Sequence, residues 1–179
     1  MNASEVDPFI PRVIKMEMLG LILDWARIDA GVSHLAAAAF AIDVTAGAII
    51  FNRLSIDQRL KKIRDLQKAL RKDDQVKALS KLLKQFEKHA TPRNLIAHAT
   101  CAGVLKSDPN SLVFMPYEVH GGYGNLGLEI VHRQSIRQAS RFAVHMTRVI
   151  GQMMDEVGFF ESSDTEGNDT EAEVDGTAK

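Results

Sequence analysis

Apolar residues recur at three- and four-residue intervals along most of the chain, and this spacing constrains the fold more than any other feature. In an α-helix, residues so spaced fall on one face, so each such segment predicts a helix that packs one face into a core. Pro11 suits the first turn of a long helix. The apolar positions that follow are Ile14, Met18, Leu21, Trp25, Ile28, Val32 and Leu35. We predict a single first helix here, weakened at Gly20 and Gly31.

Two more helices are predicted between residues 42 and 70. The apolar segment Ile42–Leu54 predicts a second, largely buried helix. Ser55 carries a side chain that helix N-caps favour, which indicates that a third helix begins after it. Its apolar residues keep helical spacing: Ile56, Leu60, Ile63, Leu66 and Leu70.

The charged segment Lys72–Asp74 is expected to break or bend this helix. The apolar stripe resumes in a fourth helix, which we expect to end near His89. Thr91 and Pro92 then match the N-cap and first position of a new helix. We expect that helix to run to about Val104.

Strand-like patterns precede the last helix. Lys106–Asn110 predicts a turn, and Leu112–Glu118 and Leu126–His132 predict two short strands joined by the glycine-rich segment 120–125. That segment lacks the lysine of a phosphate-binding loop, so we interpret it as a hairpin turn. Ser135 predicts the start of a last helix, whose apolar face is Ile136, Ala139, Ala143, Met146, Ile150, Met153 and Val157.

These elements predict an all-α fold, an antiparallel helical bundle with a small β-hairpin before the last helix. We divide the chain into an N-terminal arm (1–10), a helical domain (11–160) and an acidic, disordered tail (161–179). The tail has too few apolar residues to offset the entropy lost on ordering. The chain of 179 residues suffices for one domain with a substantial core.

Composition favours the cytoplasm. The single cysteine, Cys101, cannot form an internal disulfide, which is typical of a reducing compartment. The first residues carry no basic cluster of the kind that opens a secretory signal. The longest apolar run, Leu35–Phe51, is interrupted by Asp43 and falls short of the roughly 20 residues that a spanning helix needs. We therefore expect no membrane association.

Basic residues are concentrated in one part of the chain. Overall the formal net charge is -1, but the tail holds seven acids and one base. The segment Arg59–Arg93 holds twelve bases against four acids. Such a segment favours a phosphate-bearing partner, and a solvated helical face is the alternative interpretation. We select Lys84, Lys88 and Arg93 as candidate RNA-binding residues.

The segment Arg93–His98, with the sequence Arg-Asn-Leu-Ile-Ala-His, carries the sharpest chemical signal. On a helix, Asn94 and His98 share a face, and Arg93 lies about 100° further round. An imidazole can accept the proton of a ribose 2′-hydroxyl, and a guanidinium can stabilise the charge of the transition state. A helix that begins here would add free backbone N–H groups for an anion. We therefore predict Arg93, Asn94 and His98 as a catalytic set.

This pattern resembles the motif of the HEPN (higher eukaryotes and prokaryotes nucleotide-binding) superfamily, in which a polar residue follows an arginine and a histidine comes four to six residues later. Arg93, Asn94 and His98 match those positions, and the resemblance spans about residues 10–158. It implies a helical bundle and a homodimer that brings two motifs together. In active members it implies metal-independent endoribonuclease activity that leaves a 2′,3′-cyclic phosphate.

Many members of the superfamily are toxins or antiviral effectors, so a toxin–antitoxin or defence role, with an antitoxin protein as a partner, is one expectation. The chemistry needs no metal or cofactor. The alternative is a non-catalytic helical module that binds a nucleotide or forms a dimer. A DNA-reading regulatory subunit is a weaker third possibility, since the chain has no compact helix-turn-helix signature.

Overall fold

The computed structural model describes residues 5–51, 53–120 and 123–156. The centre of the glycine-rich turn, the end of the last predicted helix at Val157 and the acidic tail lie outside these residues. Five helices lie within them: α1 (Arg12–Ala39), α2 (Val44–Phe51), α3 (Ile56–Ala69), α4 (Asp73–His98) and α5 (Arg133–Glu156). The strands described are β1 (Val6–Asp7), β2 (Thr100–Leu105), β3 (Ser111–Met115), β4 (Tyr117–His120), β5 (Tyr123–Leu126) and β6 (Glu129–His132).

Helix α1 forms as its periodicity predicts. Its buried face comprises Ile14, Leu21, Trp25, Ile28, Val32, Leu35, Ala36 and Ala37. After Phe40 the chain turns at Ala41, whose φ of 51° takes it out of the helical conformation. The ring of Trp25 packs between Phe86 and Phe142, with centroid distances of 5.3 and 6.2 Å. This aromatic group joins α1 to α4 and α5 at the centre of the core.

The second helix is present. The sequence predicts that it is largely buried, and this part of the prediction is wrong. Gly47 and Phe51 are its buried residues, whereas Ile49 and Ile50 are 77% and 59% exposed. A Cβ at Gly47 would lie 2.8 Å from the Cβ of Ala37, so this glycine permits α2 to pack closely on α1. Hydropathy identifies an apolar helix of this length but does not determine how many of its faces find a partner.

The long helices do not all alternate in direction. Glu17 near the start of α1 contacts Arg133 at the start of α5, and Gly31 later in α1 lies beside Ile150 later in α5. These two helices therefore run parallel. Helix α4 runs against α1, since Phe86 packs on Trp25 while the earlier Leu79 lies with Leu35. The predicted antiparallel arrangement is therefore only partly correct.

Helices α3 and α4 are separated where the charged segment predicts a break. Ser55 precedes α3, and its backbone N–H donates to Oε1 of Gln58 at 2.9 Å. Helix α3 ends at Ala69, and Arg71 adopts a φ of 57° before α4 begins at Asp73. The N-cap prediction and the break are both confirmed.

Helix α4 does not end near His89. It continues through Pro92 to His98, so the prediction of a new helix that starts at Thr91 is wrong. Proline lacks the backbone N–H that would bond to the carbonyl four residues earlier, which usually weakens a helix interior. Here Pro92 is buried, and the inward face of α4 extends past it to Leu95 and Ile96, which pack against the core. Tertiary packing thus outweighs the local signal.

A four-stranded antiparallel sheet, in the order β1-β2-β3-β6, covers one end of the helices. The fold is therefore predominantly helical but not all-α. The predicted hairpin is confirmed by the pairing of Ser111 with His132, and β4 pairs with β5 in an extension of it. Strand β2 replaces the predicted end of a helix, and β1 lies within the predicted N-terminal arm. At Gly103 a Cβ would lie 2.0 Å from the carbonyl oxygen of Asp7, so β1 can approach β2 here only beside a glycine.

Helix α5 begins at Arg133, two residues before the predicted cap, and buries Ile136, Ala139, Phe142, Ala143, Met146, Ile150 and Met154. No single helix among the described residues is long and apolar enough to cross a membrane. Helices α1 and α2 reach that length and hydropathy only together, and they are bent by 112° at their junction.

Candidate functional site

Arg93, Asn94 and His98 lie in the last two turns of α4 rather than in the first turn of a helix. The expected cluster of free N–H groups is therefore absent from this end of α4, because a helix C-terminus presents carbonyl groups instead. The backbone N–H of Ala99 still donates to the carbonyl of Leu95, at 2.8 Å. The end of α4 carries a partial negative charge, which favours cations over anions.

Arg93 and Asn94 lie together at the mouth of a pocket. Nη1 of Arg93 donates to Oδ1 of Asn94 at 3.1 Å. Arg93 forms no ion pair with any carboxylate among the described residues, and its Nε is buried without a hydrogen-bond partner there. Asn94 is exposed. The guanidinium thus retains N–H groups for a ligand.

The pocket has a volume of about 280 Å³ and lies between α1, the start of α3 and the second half of α4. Its lining residues are Trp25, Asp29, Leu54, Ser55, Ile56, Asp57, Arg59, Phe86, Ala90, Arg93 and Asn94. Ile56 and Asp57 belong to the first turn of α3, and Leu54 and Ser55 directly precede it. A helix N-terminus does line this pocket, but it belongs to α3 and is closed by a capping box between Ser55 and Gln58.

Two carboxylates line the same pocket, and each has a cation of its own. Asp29 forms an ion pair with Arg59, whose Nη1 also donates to the Asp29 carbonyl at 3.2 Å and to Ser33 Oγ. Asp57 pairs with Lys61 at 3.1 Å. A hydrogen bond from the Ser55 hydroxyl, assisted by Lys61, lowers the pKa of Asp57. Among the described lining residues, Arg93 is the charged side chain that has no ion-pair partner.

His98 is exposed and is not part of the pocket lining. It lies one turn beyond Asn94 on the same face of α4, as predicted. It is five positions after Arg93, which corresponds to an angle of about 140° around the helix axis. Within one chain, Arg93 and His98 therefore project from different sides of α4, and of the two only Arg93 lines the pocket.

The three candidate RNA-binding residues lie on two different surfaces. Lys84 and Lys88 are exposed on the outer face of α4, with Lys77 and Lys81 on the same stripe. Arg93 is nine positions after Lys84, which corresponds to about 180° around the helix axis. The lysine stripe thus lies on the outer side of α4, and Arg93 lies on the side that faces α3.

His89 and Cys101 have structural surroundings. His89, near which the fourth helix was expected to end, lies inside α4, and its ring stacks on that of Phe142 with a centroid distance of 4.7 Å. Burial, and to a lesser extent the neighbouring Lys88, lower the pKa of His89, so the neutral form is favoured. Burial raises the pKa of Cys101, which is half-buried near the carbonyl of Gly103. A thiol held in its neutral form is a poor nucleophile.

Arg59 is the residue that sequence reasoning missed. It was counted with the basic segment, yet it is only 6% exposed. A signal for this was available, because Arg59 follows Ile56 by three residues and lies beside Leu60 on the face of α3 that packs inward. An arginine at an apolar position of a periodic segment is a candidate for a specific role inside the fold.

Comparisons with protein-family models, with curated proteins and with solved structures give no match to this chain. Within the described residues, no group of three or more His, Cys, Asp or Glu side chains is arranged to hold a metal ion. The functional argument therefore depends on the geometry of Arg93, Asn94 and His98 and of the pocket beside them.

Proposed function

We propose that this protein is a homodimeric, metal-independent endoribonuclease of the HEPN type. The observation that carries the proposal is the small number of structural contacts made by the three motif residues. Arg93 has no carboxylate partner among the described residues, and Asn94 and His98 are exposed near the end of α4. Polar side chains with so few structural contacts are available to bind a substrate.

In the proposed reaction, His98 accepts the proton of a ribose 2′-hydroxyl, and the resulting oxygen attacks the adjacent phosphorus. Arg93 binds the phosphate and stabilises the additional negative charge of the transition state. Asn94 orients the guanidinium through the hydrogen bond that joins them. Protonation of the departing 5′-oxygen yields a 2′,3′-cyclic phosphate and a new 5′-hydroxyl end.

The divergence of Arg93 and His98 around α4 supports a site made by two chains. A two-fold axis near the end of α4 would set Arg93 of one protomer opposite the partner subunit's His98. It would also supply the second imidazole that protonates the leaving group, for which the motif itself has no spare acid. The proposal therefore requires a dimer for activity.

The lysine stripe of α4 is proposed to bind RNA as it approaches the site. Lys84 and Lys88 are exposed, so their contribution is long-range attraction to phosphates that salt screens. Cleavage at low substrate concentration should slow as salt concentration rises. A toxin or defence role, with an antitoxin as partner, belongs to the same proposal and follows from the resemblance alone.

The experiment that tests the proposal is cleavage of a mixed-sequence RNA in the presence of EDTA. We expect wild type to produce fragments with 2′,3′-cyclic phosphate ends, and Arg93→Ala and His98→Ala to lose at least about 100-fold in rate. His145→Ala, at an exposed histidine of α5, is the matched control and should cleave as wild type does. Equal cleavage by all four proteins would mean that a contaminating nuclease is responsible and would reject the proposal.

A second function is favoured by one specific observation. His98 is not part of the pocket that Arg93 and Asn94 line. This is the arrangement expected of a non-catalytic module that holds a nucleotide or forms a dimer. Under this alternative, no RNA product appears, and Arg93→Ala weakens nucleotide binding or dissociates the dimer.

A further inference from the structure

The lysine stripe on the outer face of α4 has few partners of its own. Lys77, Lys81, Lys84 and Lys88 recur at three- and four-residue intervals and are all exposed. Lys77 pairs with Asp74 at 3.4 Å. The other three lysines form no ion pair among the described residues. Because unpaired cations so spaced on a helix repel one another, the stripe favours an acidic partner.

The last turn of α5 lies where this stripe begins. Met153 and Glu156 of α5 line a small cavity together with Gln75 and Leu79 of α4. Lys77, the first lysine of the stripe, stands between Gln75 and Leu79 in the sequence. The chain therefore continues past Glu156 from a point beside the first turns of α4.

The part of the chain that follows α5 has the opposite charge. The 23 residues after Glu156 lie outside the described residues, and the acidic tail (161–179) is among them. It contains one base, Lys179, and seven acids. The acids are Glu161, Asp164, Glu166, Asp169, Glu171, Glu173 and Asp175. A strongly acidic segment is thus joined to the helix that ends next to the lysines.

The length of this segment is sufficient to cover the stripe. Lys77 and Lys88 are eleven positions apart, which is about 16 Å along the helix axis. An extended chain spans up to about 3.3–3.6 Å per residue. Glu161 is five positions after Glu156 and Asp175 is nineteen positions after it. The acids can therefore reach every lysine of the stripe without full extension of the chain.

The covalent connection offsets the weakness of exposed ion pairs. A single pair of this kind contributes little and is screened by salt. A tethered segment that forms several of them has an effective concentration of roughly millimolar. A separate polyanion has to compete with that concentration for the same lysines. The effect of such a competitor is greatest at low salt.

The outer face of α5 also carries basic residues but is less suited to the tail. Arg137 is bound to Glu17. Arg141 and Arg148 are exposed, yet they are seven positions apart, and Val144 between them is 51% exposed. The cations of this face are sparser than the lysines of α4.

We propose that the acidic tail docks on the lysine stripe of α4 and blocks it to nucleic acids. The contact is electrostatic, between tail carboxylates and the ammonium groups of Lys81, Lys84 and Lys88. The docking itself does not depend on the proposed function. Its effect on RNA rests on that function, because RNA is proposed to bind the same stripe.

Carbodiimide cross-linking of the full chain tests the docking without any nucleic acid. The reagent joins carboxylates to amines in direct contact, and mass spectrometry of the digested monomer identifies the joined residues. We expect tail carboxylates to be joined to Lys81, Lys84 and Lys88 several-fold more often than to Lys62. Lys62 is a matched control, since it is exposed and precedes the turn between α3 and α4 by about as many residues as Lys81 follows it. Equal cross-linking of Lys62 and the stripe, or cross-links only between separate chains, would overturn the docking.

Binding of a short fluorescent oligodeoxyuridine tests whether the tail blocks the stripe. This probe lacks 2′-hydroxyl groups, so the proposed reaction cannot cleave it. Wild type is compared with a full-length neutral-tail variant that carries Glu161→Gln, Asp164→Asn, Glu166→Gln, Asp169→Asn, Glu171→Gln, Glu173→Gln and Asp175→Asn. We expect the neutral-tail variant to bind the probe about tenfold or more tightly at about 50 mM salt. The ratio of the two affinities should approach one at about 500 mM salt.

Two sets of substitutions identify the surface that the tail covers. Lys81→Gln, Lys84→Gln and Lys88→Gln together should make the neutral tail and the natural tail equivalent in probe binding. Arg141→Gln with Arg148→Gln, on α5, should leave the ratio unchanged. Denaturant unfolding shows whether each variant is folded. A ratio of one at low salt would overturn the proposal, and so would a ratio that persists after the three lysines are replaced.

Failure of this proposal and failure of the proposed function give different results. RNA cleavage by wild type, together with equal probe binding by the two tails, would reject only the role of the tail. Probe binding that depends on the tail, without any RNA cleavage by wild type, would reject only the nuclease. Absence of probe binding by the neutral-tail variant would overturn the blocking role, even where cross-links show the tail on the stripe.

Discussion

Two arginine-containing regions of this molecule differ in how their guanidinium groups are satisfied. Between α1 and α5, Arg133 and Arg137 both bind Glu17, through four hydrogen bonds of 2.6 to 3.0 Å. Between α3 and α4, Arg59 and Arg93 each retain a buried Nε without a partner among the described residues. In the first region both arginines connect two helices through one carboxylate. In the second region Arg59 connects α3 to α1 through Asp29, and Arg93 forms no ion pair among the described residues.

The electrostatics of Glu17 show what the first region does. Hydrogen bonds from Arg133 and then from Arg137 lower the pKa of Glu17 to about 2. A carboxylate so strongly favoured in its charged form stabilises the fold at neutral pH. Arg93 forms no such ion pair among the described residues, so we expect its charge to contribute little to the stability of the fold. The contrast makes Glu17 a test of stability and Arg93 a test of the proposed function.

The largest change in stability should follow from Glu17→Gln. The substitution removes a carboxylate that two arginines share, and charge-assisted hydrogen bonds of this kind contribute about 1–3 kcal/mol each. We expect the free energy of unfolding at pH 7 to fall by about 1–3 kcal/mol in urea titrations. RNA cleavage should remain if the variant is folded.

The pH dependence provides the control for this prediction. The contribution of Glu17 is fully present above its unfolded pKa of 4.5 and is lost as the pH falls from 4.5 toward its folded pKa of about 2. The difference in unfolding free energy between wild type and Glu17→Gln should therefore shrink across that window. A difference that stays constant down to pH 2.5 would show that the ion pair is not its source.

The smallest change should follow from Arg93→Gln. Because Arg93 has no ion pair among the described residues and leaves a donor buried without an acceptor, its removal costs few favourable contacts. We expect the free energy of unfolding to change by less than about 0.5 kcal/mol, or to increase. A loss of 2 kcal/mol or more would place Arg93 with the structural arginines and would remove the contrast between the two regions.

Local sequence patterns predicted the parts of the fold that depend on local contacts. The buried face of α1 and the break after α3 follow from spacing and from helix-breaking residues close together in sequence. Strand β2 was missed because its sequence, from Thr100 to Leu105, includes alanine and glycine and has weak strand preference. Its conformation is determined by pairing with β1, which is distant in the sequence, and with β3, which follows it. A pattern within β2 alone does not report these pairings.

The candidate site was predicted in part for the same reason. The shared face of Asn94 and His98 follows from their spacing of four residues on any helix. The start of a helix at Thr91 was wrong, because the packing of α4 continues through Pro92. Arg59 and the N-terminus of α3 meet Arg93 only after α3 and α4 pack together. No pattern within the motif itself could have placed them there.

The central functional claim is that Arg93 of one protomer acts with the partner subunit's His98. The most direct measurement mixes wild type with an equal amount of the inactive double variant Arg93→Ala/His98→Ala, under conditions that allow subunits to exchange. A site shared between chains predicts that mixed dimers are inactive, so cleavage by the wild-type protein in the mixture falls to about half of its rate before exchange, because only half of the wild-type chains remain paired with each other. Cleavage that does not change when subunits exchange would contradict the two-chain site.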